Sequence, residues 1–161
     1  MSATPTNLPS LAIVVPCHNE QEVLRNTLTT LLARLASLRA QLLIAEESHL
    51  YVVDDGSSDS TWQQLLQIHQ ENPRVLGVKL ARNFGHRNAI LAGMLECDAD
   101  VAITIDADLQ DGDECIAEMI RQFHAGHDIV LGVRSDRSAD SLPKRVTAEG
   151  YYRALRLMGV D

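Results

Sequence analysis

The chain contains no Cys-x-x-Cys pair, no glycine-rich phosphate loop and no dinucleotide-binding fingerprint, and each absence removes a class of function. Its three cysteines, Cys17, Cys97 and Cys115, are odd in number and widely spaced. Neither a disulfide framework nor a zinc site is expected from them; they read as small buried residues of a protein in a reducing compartment. Basic residues are also scarce: 14 Lys and Arg stand against 22 Asp and Glu, for a net charge of -8. That balance argues against nucleic acid as a partner and suits metal ions better. The first ten residues lack the charged start and apolar centre of a signal peptide, and no apolar run approaches the roughly 18 residues needed to span a bilayer. The expected compartment is the cytoplasm, with peripheral attachment to the cytoplasmic face of a membrane as the variant left open.

With 161 residues and 45% hydrophobic content, the chain is expected to form one domain, residues 1–10 being a flexible arm. A domain of about 150 residues buries roughly 70% of its unfolded surface. Short β-type runs alternate with longer helical patterns. Residues 11–15 read as a buried strand ending at Pro16, which cannot donate to a sheet ladder. Asn19 and Glu22 have capping-box spacing, and Leu24, Leu28, Leu31, Leu35 and Leu38 recur at helical intervals, predicting a helix of about 18 residues. Residues 50–53 form the next strand, followed by a turn-rich Asp54-Asp55-Gly56-Ser57-Ser58-Asp59. Ser60 and Gln63 repeat the capping signal before a helix through Leu65, Leu66 and Ile68 that stops ahead of Asn72-Pro73. Trp62 there reads as a core anchor, with a ligand stack as the alternative.

A third strand over residues 75–80 precedes a short helix with Ile90, Leu91, Met94 and Leu95 on one face. A fourth, residues 101–105, precedes a helix carrying Ile116, Met119, Ile120 and Phe123 with Gly126 as its stop. The fifth strand is expected over residues 129–133, ending at Arg134. This alternation predicts an α/β fold: a mostly parallel sheet, helices on both faces, three layers.

Ligands of such sheets bind beyond the carboxyl ends of the strands, where strand order reverses. Every unusual polar cluster here falls at a carboxyl end: His18-Asn19-Glu20, Asp54-Asp55, Arg82-Asn83, Asp106-Ala107-Asp108 and Arg134. The densest is the fourth, where Asp106, Asp108, Gln110 and Asp111 follow an apolar strand. Asp106 and Asp108 are two apart, so on an extended backbone they point the same way, with small Ala107 between. Mg2+ is typically held by one or two carboxylates together with phosphate oxygens and water. The alternative is a solvated acidic loop that caps the next helix, Asp111 being the cap.

These residues together resemble a known family. Val-Val-Pro-Cys-His-Asn-Glu, Val-Val-Asp-Asp-Gly-Ser-Ser-Asp-Ser-Thr, Arg-Asn-Phe-Gly-His-Arg-Asn-Ala-Ile-Leu-Ala-Gly and Ile-Asp-Ala-Asp-Leu-Gln-Asp occur in the order seen in family 2 inverting glycosyltransferases of the Rossmann-like GT-A fold. The resemblance is nearest to the polyprenyl-phosphate branch, which includes bactoprenol glucosyltransferases and dolichol-phosphate mannosyltransferases. Gly112-Asp113 departs from the Pro-Pro common after the metal motif, and the first helix to second strand connection looks longer than usual.

The resemblance implies transfer of a hexose from a nucleotide-diphosphate sugar, UDP- or GDP-linked, to a polyprenyl phosphate at the membrane surface, with inversion by direct displacement. It implies Mg2+ or Mn2+ on Asp106, Asp108 and Gln110, and a nucleotide pocket formed by Pro16, Asn19, Glu20, Asp54, Asp55, Arg87 and Ala107. Asp54 would accept a hydrogen bond from the base. Asp106, Asp108 and Arg134 would serve catalysis, Arg134 through phosphate.

Plainer readings stand beside these. Asn19 caps a helix on local grounds alone, Asp54 and Asp55 organise a turn, and His86 and Arg87 are polar residues at a helix start. His124 and His127 have the spacing of a metal pair, but they flank a helix C-terminus, where histidine is favoured. A phospho-accepting receiver-like domain is the rival from another class, with Asp54, Asp55 and Asp106 in its acidic roles. Beyond residues 135–145, which read as a loop, residues 146–158 carry Val146, Tyr151, Leu155 and Met158 at helical spacing. That helix packs on the core or, through Arg145, Arg153 and Arg156, lies on an anionic membrane. Family members continue past this point with an acceptor-side segment, so the chain is expected to be an N-terminal portion that binds the donor with weak transfer or none.

Overall fold

The protein is represented by a computed structural model that describes residues 8–109 and 114–132. Gln110, Asp111, Gly112, Asp113, Arg134, the expected 135–145 loop and the 146–158 helix lie outside the described residues. Four strands, β1 (Leu11–Cys17), β2 (His49–Asp54), β3 (Val75–Lys79) and β4 (Val101–Thr104), alternate with four helices, α1 (Leu24–Ala40), α2 (Thr61–Glu71), α3 (His86–Glu96) and α4 (Cys115–His124). All pairings are parallel and the order is β3-β2-β1-β4. The chain builds outward from β1 to β3, then returns to the other side of β1 for β4. A switch point therefore lies at the carboxyl ends of β1 and β4. A receiver-like fold would order its strands 2-1-3-4-5, so the observed order removes that alternative.

All seven residues of β1 are buried, as expected of a central strand covered on both faces. Its side chains alternate between two clusters: Leu11, Ile13, Val15 and Cys17 join the larger core with α1, α2 and α4, while Val14 joins Val53 and Ala89 beneath α3. The leucine stripe of α1 behaves as its spacing predicts, with Leu24, Leu28, Leu31, Leu35 and Leu38 at most 1% exposed. Burying each contributes on the order of 1.5–3 kcal/mol. The layers are thus α1, α2 and α4, then the sheet, then α3. At the amino end of β1, Ser10 bonds the Asp100 carboxylate through its amide and its hydroxyl, both at 2.8 Å.

Several local expectations are corrected. Strand β1 runs through Pro16 to Cys17. Val14 accepts from Ile105 on the β4 side, so Pro16, two residues on, faces the same side after β4 has ended, and its missing N–H costs no ladder bond. The expected fifth strand is not formed over residues 129–132, where Ile129 and Leu131 are exposed; among the described residues β4 has no neighbour on its outer edge. Gly126, at φ 96, ends α4 as expected, its amide bonding the Phe123 carbonyl.

Helix α3 presents a different face from the one its large residues suggest. Ala89 and Gly93 are buried, whereas Leu91, Met94 and Leu95 are exposed. The reason is close approach: a Cβ on Gly93 would stand 2.4 Å from Val14 Cγ1 and 2.8 Å from Val53 Cγ2. Small residues let the helix lie against the sheet. Gly93→Ala should therefore destabilise the fold by about 1–3 kcal/mol through overpacking, although alanine is the better helix former by about 1 kcal/mol. Thermal unfolding checks this, and an unchanged or raised Tm would contradict it.

Candidate active site

Beyond β1 the chain turns through His18-Asn19-Glu20. Asn19 has φ 56, and its side-chain oxygen accepts from the Ser58 amide at 2.8 Å and the Asp59 amide at 3.4 Å. It is not the cap of α1, which begins five residues later behind Val23 without a side-chain cap; its carbonyl-bearing side chain instead bridges the β1 and β2 loops. Gln21 takes a similar part, accepting from the Ser60 amide and hydroxyl. Ser60 is consequently no capping hydroxyl for α2, and Asp59 bonds the Thr61 amide at 2.9 Å in its place. Burial raises the Asp59 carboxyl pKa but is outweighed by hydrogen bonds from Thr61 and Gln21, which hold it below the ordinary range.

The two aspartates of the β2 loop do different work. Asp54 is fully buried; Oδ1 accepts from the Ser57 amide at 3.0 Å, while Oδ2 has no partner among the described residues. Asp55 is 3% exposed and reaches across to the β3–α3 loop, accepting from the Phe84 amide at 2.7 Å and the Gly85 amide at 2.9 Å. Gly56 permits this approach: at φ 65, its missing Cβ would sit 2.4 Å from the Arg82 carbonyl carbon. Gly85, at φ 92, then precedes α3 and aims the first turn of the helix.

Strand β4 ends at Thr104, one residue short of the expected span, and the acidic stretch is a turn rather than extended backbone. The Leu109 amide bonds the Asp106 carbonyl at 3.1 Å, and Leu109 itself sits at φ 53. That conformation costs a residue with a Cβ about 1–2 kcal/mol; the Leu109 side chain packs on the main core and offsets it. Ala107 is buried, and its carbonyl accepts from the Thr27 hydroxyl of α1. The turn thereby displays Asp106 and Asp108 outward on a fixed base. Asp106 is about half exposed, and its Oδ1 lies 3.4 Å from His86 Nε2.

These loops enclose a cavity of ≈ 360 Å³ at the switch point. Pro16, Cys17, His18 and Glu20 supply the β1 wall, Asp106, Ala107 and Asp108 the β4 wall, Asp55 the β2 side, and Asn83, Gly85, His86 and Ala89 the α3 side. Of the expected pocket residues, Pro16, Glu20, Asp55 and Ala107 line it. Asn19, Asp54 and Arg87 do not: the first two shape the loops behind it, and Arg87 is exposed on α3. Gln110 and Arg134 lie outside the described residues. Cys17 is no nucleophile at neutral pH, because burial, and after it the Asp54 carboxylate, push its thiol up to about 12.

No group of three or more metal-binding side chains is assembled among the described residues. Two exposed carboxylates on one wall nonetheless form an all-oxygen donor set, which fits a hard divalent cation whose remaining positions go to phosphate and water. His124 and His127 belong to no such group among the described residues, and His124 Nε2 bonds the Leu43 carbonyl at 2.8 Å. Trp62 packs against the main core with Lys79 over its ring at 5.1 Å, in keeping with an anchor.

His18, Asn83 and His86 are polar lining residues that were not among the expected pocket residues. The signal for His86 was present, since it precedes Ala89 and Gly93 by three and seven residues and so shares the small-residue face of α3.

The glycosyl transferase family 2 model matches residues 12–158. The chain belongs to glycosyl transferase family 2. This family 2 chain is 44% identical over 154 residues to the uncharacterized glycosyltransferase YkoT of Bacillus subtilis (strain 168), which covers 94% of the chain and 46% of that protein. It is 36% identical over 143 residues to the bactoprenol glucosyl transferase of Shigella phage SfV, 89% of the chain and 45% of that protein. The chain thus spans about half the length of the curated relatives it matches.

Among solved structures, it resembles the mannosyltransferase PcManGT from Pyrobaculum calidifontis in complex with GDP-Man and Mn2+, with TM-score 0.53 and 19% identity over 66% of this chain and 30% of that one. It also resembles GalNAc-T7 with UDP, GalNAc and Mn2+, with TM-score 0.52 and 22% identity over 62% of this chain and 18% of that one. At such identities the likeness concerns the fold, which is the GT-A arrangement of the family 2 enzymes. Among the described residues no helix is long and apolar enough to cross a membrane.

Proposed function

We propose that the cavity binds a nucleoside-diphosphate sugar together with a divalent cation, and that the whole protein transfers the hexose to a polyprenyl phosphate with inversion. The observation that carries this reading is the pairing of two exposed carboxylates, Asp106 and Asp108, with a cavity at the β1–β4 switch point. Asp106 and Asp108 would hold Mg2+ or Mn2+, with Gln110 as the expected third donor. The bound cation supplies positive charge to the diphosphate oxygens. Pro16, Glu20, Asp55 and Ala107 form walls around the nucleotide, Asn19 and Asp54 keep the β1 and β2 loops in register behind it, and Arg134 is assigned to phosphate. The acceptor class follows the bactoprenol glucosyl transferases among the relatives.

In the transfer, the bond from the anomeric carbon to the diphosphate oxygen breaks and its electron pair leaves with the nucleoside diphosphate. The acceptor phosphate oxygen forms the new bond from the opposite face, which inverts the configuration. That oxygen is already anionic, so no proton has to be removed and no strong general base is needed. Calorimetric titration with UDP-glucose, GDP-mannose, UDP and GDP, with and without Mn2+, tests the donor half: one base series should bind, and Mn2+ should tighten it at least about tenfold. Absence of metal-dependent binding by every nucleotide would overturn the proposal.

A further inference from the structure

We infer that His86 is the side chain that hydrogen-bonds the diphosphate of the donor, an inference that rests on the sugar-nucleotide reading of the cavity. Both α3 residues at its start, His86 and Arg87, are basic, but they are not equivalent. His86 lines the cavity, while Arg87 stands outside it. The Nε2 atom of His86 lies 3.4 Å from Asp106 Oδ1, facing one of the two carboxylates that would hold the cation. A cation held by Asp106 and Asp108 would draw the diphosphate to this wall of the cavity. His86 is the imidazole already at that position.

The observed pair is weak by its geometry: both side chains are more than half exposed and the separation exceeds a good hydrogen bond. Little is lost when it opens. With the Asp106 carboxylate engaged by a cation, the His86 imidazole would be free to turn to an anionic phosphate oxygen on the same wall. An Nε2–H then donates to phosphate oxygen as a charge-assisted bond, which is stronger than a neutral one. The setting agrees in sign. His86 is the first residue of an eleven-residue helix, and the positive end of its dipole favours an anion there. A nitrogen donor to the cation is the competing role for the same atom, and the two roles predict opposite responses of metal binding. As a phosphate donor, His86 only competes for Asp106 when the nucleotide is absent, so its removal cannot weaken binding of the metal alone.

The test compares the full chain with His86→Ala and His86→Gln, using Mn2+ alone, UDP and GDP with Mn2+, and UMP and GMP as probes lacking the second phosphate. Thermal unfolding confirms that each variant is folded, as expected for a half-exposed residue. His86→Ala should weaken diphosphate binding about tenfold, leave monophosphate binding and Mn2+ affinity undiminished, and be largely rescued by His86→Gln, whose amide can donate. Unchanged diphosphate affinity in His86→Ala would overturn the inference. So would a parallel loss of Mn2+ affinity, which would make His86 a metal ligand. Normal metal-dependent diphosphate binding by the unaltered chain with either of these results sinks His86 alone; no binding by the unaltered chain sinks the sugar-nucleotide reading and the inference with it.

Discussion

Asp108→Ala should abolish the share of nucleotide binding that depends on a divalent cation, a loss of at least about 100-fold in the presence of Mn2+. Removing a partner that merely orients a metal ligand typically costs 10–100-fold in metal affinity, and Asp108 is proposed to be a ligand itself. With two protein carboxylates on the seat, losing one leaves a single attachment, which a strongly hydrated cation does not favour over water. Asp106→Asn should act in the same direction. Asp108 is exposed on a turn whose base is fixed by Ala107 and Leu109, so circular dichroism and the unfolding midpoint should show an intact fold. The decisive comparison is affinity for UDP and GDP with and without Mn2+. If Asp108→Ala keeps the Mn2+ enhancement of the unaltered chain, the cation seat is elsewhere.

What could be read from the residues divides along a physical line. Periodicity and strand-end punctuation carried the architecture: the leucine stripe of α1, the buried runs of β1 and β2, and the placement of polar clusters after β1 to β4 all depend on local spacing, and the sheet confirms them, whereas the expected fifth strand is not formed over residues 129–132. Interactions between segments distant in sequence could not be read so. Asn19 and Ser60 satisfy the local capping rule, yet each is captured by a loop about 40 residues away. Local capping contributes only about 1 kcal/mol, so tertiary hydrogen bonds override it without difficulty.

The same competition explains α3. Its large residues mark a stripe, but the sheet-facing side is set by how closely a helix can lie on Val14 and Val53, and Gly93 decides that. The resemblance put Arg87 in the pocket, whereas the small-residue face of α3, which His86 shares with Ala89 and Gly93, turns His86 to the cavity. For the acidic turn, the spacing of Asp106 and Asp108 suggested extended backbone, while the positive φ of Leu109 shows a bend held from behind by the core. Both carboxylates still reach the same cavity, by a different route.

Asp55 ties these observations together, because the β2 loop and the start of α3 meet through one carboxylate. Asp55→Ala should cost about 3–6 kcal/mol of stability, since hydrogen bonds to a charged group contribute roughly 1.5–3 kcal/mol each and two are lost. The donors, the amides of Phe84 and Gly85, would be left without that acceptor in a partly buried setting. For a domain of this size the loss corresponds to a fall in Tm of roughly 10 °C. Asp55→Asn should fall between, because its amide keeps one acceptor oxygen but turns an NH2 toward an amide that also donates. Nucleotide binding should weaken in both variants, as Gly85 and His86 are no longer held against the cavity. The turn-organising and pocket readings of Asp55 are then one role seen from two sides. A drop in Tm of less than about 2 °C in Asp55→Ala, measured by thermal unfolding, would show that this bridge does not hold the α3 wall of the site.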